Sequence, residues 1–65
     1  MKVEIKEISD HDCFYREKDR LVGLAGDFEV TRKHDDGWIA GYFYTDNPFI
    51  EGTLLFYKVK IEPLE

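Results

Sequence analysis

Apolar and polar residues alternate along several short stretches of this chain, with the period of two that a strand buried on one face produces. The first stretch, residues 2–8, places Val3 and Ile5 on one face and charged residues on the other. The alternation breaks at Glu7-Ile8, so we expect the strand to end or to bulge there.

Similar stretches at residues 28–33, 38–44, 53–57 and 58–61 each predict a further strand. An apolar stretch that starts at Leu21 contains Gly23 and Gly26, which predicts a short strand, a bend and a turn at Gly26-Asp27. A turn at residues 45–48 and a loop at residues 49–52 precede the last strands. These elements predict an all-β fold, a small barrel of about five antiparallel strands.

The sharpest turn signal lies at Asp35-Asp36-Gly37, because glycine takes a positive φ without steric cost and aspartate tolerates it. We therefore predict a hairpin there. The strand after it has two faces: Trp38, Ala40, Tyr42 and Tyr44 on one, Ile39, Gly41 and Phe43 on the other. Both faces carry large apolar groups, so we expect both to be covered at least in part. Gly41 in mid-strand predicts a bend or a close backbone approach.

Residues 9–20 form the most polar stretch, in which Cys13, Phe14 and Tyr15 are adjacent. We predict a loop pinned by these three side chains, because a solvated loop has no use for adjacent aromatic residues. The alternative is a short helix from Asp12 to Lys18, with Asp12 as its N-cap.

The chain has 65 residues, which predicts one domain over residues 1–65. Apolar residues make up 43% of it and aromatic residues 15%, enough for a small core. The predicted core residues are Phe28, Val30, Ile39, Phe43 and Leu55, with Val3 and Ile61 closing the barrel.

Nine Lys and Arg residues stand against 14 Asp and Glu residues, so the formal charge is −5. Such a chain lacks the basic surface that binds nucleic-acid backbones, and it is poorly suited to anionic membranes. The single cysteine excludes an internal disulfide and favours a reducing cytoplasm. We expect no signal peptide or membrane span, because no apolar run is long enough.

One set of residues follows the order and spacing of a known family: Asp19-Arg20-Leu21, Gly26-Asp27, Val30, Asp35-Asp36-Gly37-Trp38 and Gly41. It resembles the SH3 domain pattern of an acidic residue and Leu before a Gly-Asp turn, a strand ending in Val, an Asp-Gly-Trp junction, and a small residue three positions later. Other small barrels with a Leu-x-Gly-x-x-Gly turn are similar.

The resemblance implies a five-stranded barrel of two packed sheets. In peptide-binding members, Trp38 would match the tryptophan that holds proline-rich peptides, and Tyr15 a tyrosine of the opening motif. Acidic loop residues would pair with basic residues of the ligand. The chain departs from the family where Ile39 replaces a second tryptophan, and where five residues separate Tyr15 from Leu21 in place of a long loop. Tyr57-Lys58-Val59 also replaces the Pro-Ser-Asn-Tyr signature.

Two groups are candidates for binding a ligand. Tyr15, Trp38, Tyr42 and Tyr44 would form a stacking surface for a peptide, sugar or base, unless they cover the core. Asp35 and Asp36, beside Trp38, would pair with a basic ligand, unless the turn needs them only for its backbone geometry.

The run His11-Asp12-Cys13 is capable of binding a metal, but adjacent residues rarely converge on one ion. We expect a polar loop with a buried Cys13. A nucleophile–base pair of Cys13 with His11 or His34 lacks a third orienting group. We therefore expect no enzyme, no metal and no cofactor.

The predicted function is a small, cytoplasmic, non-catalytic module that binds a protein or peptide through a partly exposed Trp38. The alternatives are a barrel associated with nucleic acid, against which the charge counts, and a structural accessory subunit of a larger complex.

Overall fold

A computed structural model describes residues 2–45, 47–50 and 52–64. Asp46 and Glu51, in the predicted turn and loop before the last strands, lie outside these residues. The elements in chain order are β1 (Lys2–Ile8), a 3-10 turn (Tyr15–Glu17), α1 (Lys18–Leu21), β2 (Ala25–Lys33), a second 3-10 turn (Asp35–Gly37), β3 (Ile39–Tyr44) and β4 (Thr53–Pro63).

Within the described residues, four antiparallel strands form a closed ring in the order β1-β2-β3-β4, in which β4 pairs back with β1. The all-β prediction is confirmed, and the strand count is four rather than about five. The two strands predicted at 53–57 and 58–61 are the single strand β4, whose alternation is interrupted by a bulge. The turn predicted at Gly26-Asp27 is wrong, because both residues lie inside β2, and Leu21 ends α1 rather than starting a strand.

Irregular pairing gives these few strands the curvature that a small closed ring requires. The pairing of β1 with β4 shifts between Ile5 and Glu7, close to the predicted break at Glu7-Ile8. The pairing of β2 with β3 shifts between Val30 and Arg32. The pairing of β3 with β4 also shifts, because Tyr57 and Lys58 on β4 lie opposite the single residue Ala40 on β3.

Phenylalanine rings fill the centre of the ring of strands. The centroid of the fully buried Phe56 ring lies 5.1 Å from that of Phe14, 6.1 Å from Phe43 and 6.5 Å from Phe28. The buried apolar cluster consists of Val3, Ile5, Ile8, Leu21, Phe28, Phe43, Phe56 and Val59.

The predicted core is confirmed at Val3, Phe28 and Phe43, all of them buried. Val30, Ile39 and Ile61 are half-buried and pack against the cluster. The prediction that Leu55 is a core residue was wrong. Leu55 pairs with the exposed Tyr42 and lies outside the cluster, whereas its neighbour Phe56 faces inward. Two adjacent apolar residues do not reveal which of them faces the core.

Gly41 and Gly26 let β2 and β3 bend closely over one another. A Cβ at Gly41 would fall on the Glu29 carbonyl oxygen and within 2.6 Å of the Phe28 ring. Gly26 is the reciprocal case, since a Cβ there would meet the Tyr44 carbonyl oxygen and lie 2.9 Å from the Phe43 ring. Each inward ring thus covers a glycine of the neighbouring strand, as predicted for Gly41.

The loop after β1 is attached to β4 by the carboxylate of Asp12, which is only 4% exposed. Its Oδ2 accepts hydrogen bonds from the backbone nitrogens of Tyr57 (2.7 Å) and Lys58 (2.8 Å). Its Oδ1 accepts one from the nitrogen of Phe14 at 2.8 Å. The carboxylate therefore satisfies two N–H groups at the β4 bulge and tightens its own loop.

The other predictions for residues 9–20 are met in part. Phe14 and Tyr15 pack against the core and pin the segment, but Cys13 is exposed, so the buried cysteine was wrong. Helical turns do occur, but the first begins after Phe14, so Asp12 is not its N-cap.

We expect Asp12→Asn to lower the free energy of unfolding by about 3 kcal/mol, because the amide has one acceptor oxygen where the carboxylate has two. Urea unfolding followed by circular dichroism measures this. Asp19→Asn is the matched control, since Asp19 is exposed on α1, and it should change stability by less than ~0.5 kcal/mol. Equal effects of the two substitutions would show that the Asp12 contacts are not structural.

Gly41→Ala should unfold much of the protein, at a cost of about 3 kcal/mol or more, because the methyl group collides with β2 backbone. Gly52→Ala separates this collision from simple backbone strain. Gly52 has φ +74° and no heavy atom near its Cβ position, so its substitution should cost only about 1 kcal/mol. A Gly41→Ala variant as stable as Gly52→Ala would contradict the close approach. Thermal unfolding of both variants decides the point.

Candidate functional site

The hairpin turn predicted at Asp35-Asp36-Gly37 is present and determines where Trp38 lies. Asp36 has φ +63° and Gly37 has φ +83°, the left-handed conformation that suits these two residue types. The backbone nitrogen of Trp38 donates to the Asp35 carbonyl at 3.4 Å, and that of His34 donates to the Trp38 carbonyl at 2.8 Å. Trp38 is thereby held at the mouth of the hairpin, immediately before β3.

The outer face of β3 carries Ala40, Tyr42 and Tyr44, and Trp38 directly before the strand continues that face, as predicted for these four residues. The two tyrosines are 39% and 43% exposed and Trp38 is half-buried, so this face is more open than expected. Ala40 is itself buried, so no open space lies over it. The Tyr44 hydroxyl donates to Glu29 Oε2 at 3.4 Å. Desolvation first, and then the Glu29 carboxylate, raise the pKa of Tyr44.

Two lysines of β4 lie against the indole ring of Trp38. The Nζ atoms of Lys60 and Lys58 are 4.6 Å and 6.0 Å from the ring centroid. The two lysines reach the ring because Ile39, next to Trp38, pairs with Val59. Lys58 and Lys60 directly precede and follow Val59 on β4. Trp38 therefore has cationic rather than acidic neighbours on the adjacent strand. A cation–π contact of this kind at an exposed site contributes about 0.5–1 kcal/mol.

Two further basic residues lie on the other side of β3. Arg32 and Lys33 of β2 are exposed and pair with Ala40 and Ile39. We call Arg32, Lys33, Lys58 and Lys60 the basic cluster. Among the described residues, ion pairs join Lys6 to Glu4 and Glu62, both at 2.8 Å, and His11 to Asp10 at 3.6 Å, but none involves the basic cluster.

Tyr15 occupies a different place from the other candidate residues. It packs against the core and lines a surface groove of about 560 Å³ between β1 and α1, together with Glu7, Lys18 and Val22. Lys18 Nζ donates to the Tyr15 hydroxyl at 3.1 Å, which raises the pKa of Lys18. The structure therefore brings Tyr42 and Trp38 onto one face and leaves Tyr15 outside it.

Asp35 and Asp36 are both exposed in the turn next to Trp38. Their backbone forms the turn, and Asp36 takes a positive φ. This agrees with the alternative in which the turn needs these residues for its backbone geometry. Three surface grooves in the described part of the chain are lined by neither of them, nor by Trp38 or Tyr42. The face around Trp38 therefore contributes to none of these three grooves.

The residues of His11-Asp12-Cys13 point to different surroundings. His11 and Cys13 are exposed, whereas the Asp12 carboxylate accepts hydrogen bonds from three backbone N–H groups. His34 Nε2 donates to the Tyr57 carbonyl oxygen at 2.9 Å. Among the described residues, no three His, Cys, Asp or Glu side chains are placed to hold a metal ion.

Sequence reasoning missed two features of the surface. The basic cluster depends on the register between strands, which single-strand alternation does not contain. Phe49 is 85% exposed, and its nitrogen donates to Asn47 Oδ1 at 2.9 Å in a side-chain-capped turn. The sequence predicted a turn at residues 45–48 and placed Phe49 in the loop after it, but it did not indicate that the Phe49 ring would be so exposed.

No helix in the described residues has the length and apolar character needed to cross a membrane. Comparisons of the chain with models of known families, with curated proteins and with solved structures found no match.

Proposed function

We propose that this chain is a non-catalytic interaction module with an SH3-like barrel, which binds a protein or peptide through the outer face of β3 and β4. Trp38 is the anchor of that face and Tyr42 lies beside it. The four-stranded antiparallel ring and the Asp-Gly-Trp hairpin between β2 and β3 support the SH3-like assignment.

The observation that carries the proposal is the separation of aromatic residue types. Four of the five phenylalanines, Phe14, Phe28, Phe43 and Phe56, belong to the core or pack against it. Trp38 and three tyrosines do not: Tyr42, Tyr44 and Tyr57 are exposed, and Trp38 is not among the side chains that pack against the core. Since the core is filled without them, their position favours recognition, in which Trp and Tyr are the common anchors.

The openness of the face favours a macromolecular partner. Small-molecule sites are concave and mostly enclosed, and Trp38 lines none of the three described grooves. The absence of catalysis is proposed because His11 and Cys13 are both exposed to solvent, and the Asp12 carboxylate between them already accepts three backbone hydrogen bonds. The single exposed cysteine supports a reducing, cytoplasmic setting.

Trp38→Ala tests the proposal directly. Because Trp38 lies outside the core, the substitution should lower the free energy of unfolding by only about 1 kcal/mol, whereas Phe56→Ala should cost about 3–5 kcal/mol. Chemical denaturation followed by circular dichroism measures both.

A photo-crosslinking amino acid at Tyr42 then supplies the functional readout in the cells that make the protein. We expect one defined protein adduct, which is lost when Trp38→Ala is added and is not formed from the same amino acid at Arg16. A stability loss near that of Phe56→Ala would make Trp38 structural and overturn the proposal. An adduct that is insensitive to Trp38→Ala would overturn it as well.

A further inference from the structure

We infer that the partner segment bound at Trp38 is acidic, and that its carboxylates pair with Lys58 and Lys60. This inference rests on the interaction face proposed above and names the chemistry of its partner. It reverses the sign that the SH3 resemblance implies, in which acidic loops receive a basic ligand.

The arrangement of Lys58 and Lys60 is the first support. Both ammonium groups lie over the Trp38 ring, at 6.0 Å and 4.6 Å from its centroid, and neither is in an ion pair among the described residues. The backbone of Lys58 is held by the buried Asp12 carboxylate, and the Lys60 chain passes 4.0 Å from the Cβ position of Gly37. A carboxylate that lands beside the indole therefore meets two charges at positions defined by the fold.

Charged residues of opposite sign occupy different positions around the face. Arg32 pairs with Ala40 and so adds positive charge on the same face across β3, whereas Lys33 pairs with Ile39, which packs against the core. Acidic residues flank it: Asp35 and Asp36 in the turn, Glu7 on β1, which pairs with Lys60, and Glu29 on β2, which pairs with Tyr42. Partner carboxylates should thus lie beside Trp38, Lys58 and Lys60, and not over the turn or beside Glu29.

The overall charge favours a short acidic segment over nucleic acid. A polyphosphate chain extends its charge well beyond the face and meets the repulsion of a protein with a net charge of −5. A segment with a few carboxylates meets mainly the local cluster, because charges separated by more than about 10 Å are screened at moderate salt.

The test uses the fluorescence of Trp38, the only tryptophan, as a reporter at the site itself. A synthetic peptide that alternates glutamate with proline is titrated into the protein, in parallel with its lysine–proline counterpart and with single-stranded oligothymidylate. We expect the glutamate peptide alone to shift the emission, and its affinity to fall about tenfold between about 20 mM and about 300 mM salt.

Charge reversal on the face supplies the matched comparison. Lys58→Glu with Lys60→Glu should weaken binding of the glutamate peptide by about tenfold or more. Arg16→Glu with Arg20→Glu makes the same change in net charge on the helical segment, and should weaken it by less than about threefold. Circular dichroism shows whether both double variants are folded. If the Lys58/Lys60 variant does not fold, Lys58→Gln with Lys60→Gln replaces it and should still weaken binding about threefold.

Three results would overturn the inference. Binding of the lysine peptide with a Trp38 response would reject the acidic partner while leaving the proposed interaction face intact. Tighter binding of oligothymidylate than of the glutamate peptide would assign the face to nucleic acid. Equal losses in the two double variants, or no response to any probe, would show that the basic cluster is not a site for acidic segments.

Discussion

The buried carboxylate of Asp12 is the contact on which both the core and the outer face depend. At the β4 bulge, the N–H groups of Tyr57 and Lys58 turn away from regular pairing, and the Asp12 Oδ2 atom accepts both. Ser9 adds a backbone hydrogen bond to the Lys58 carbonyl at 3.0 Å. With the bulge held in this way, Phe56 and Val59 both face inward although three positions separate them. The same bulge sends Lys58 and Lys60 outward to Trp38, so one side chain from the β1 loop positions residues on both sides of β4.

This 65-residue chain closes its sheet with few strands, because glycines allow two strands to approach closely and phenylalanine rings fill the interior. Gly26 and Gly41 permit a backbone approach that a Cβ would block, and the rings of Phe43 and Phe28 fill the space above them. Phe56, from β4, contacts both rings. Tyr15 is the one tyrosine that packs against this core among the described residues, and the other three tyrosines and Trp38 lie outside it.

Much of the fold follows from local sequence. The bounds of β1, the hairpin at Asp35–Gly37 and the close approach at Gly41 each depend on neighbouring residues, and each was predicted correctly. The errors come from bulges and from contacts between distant residues. The β4 bulge breaks the alternation, so one strand was predicted as two and Leu55 was placed in the core instead of Phe56. From its local sequence, Asp12 was considered as a helix cap or a metal ligand. Its true role could not be predicted locally, because its hydrogen-bond partners on β4 lie about 45 residues away.

The surface around Trp38 was predicted only in part for the same reason. Alternation placed Tyr42 and Trp38 on one face, but the lysines that lie against the indole come from another strand, and their position depends on register. Local composition near Trp38, with Asp35 and Asp36, suggested negative charge. Pairing across β3 and β4 instead surrounds the ring with cations, in a protein whose net charge is −5.

Quenching of Trp38 fluorescence by ions of opposite charge tests this account most directly, because it reports both exposure and local electrostatics. If Trp38 is half-exposed between Lys58 and Lys60, the ratio of iodide to caesium quenching at low salt should exceed that of free N-acetyltryptophanamide by about twofold, despite the net negative charge of the protein. The difference should shrink as salt is added. A ratio below that of the free compound, or no quenching by either ion, would contradict the central claim that Trp38 lies on an exposed, cationic face.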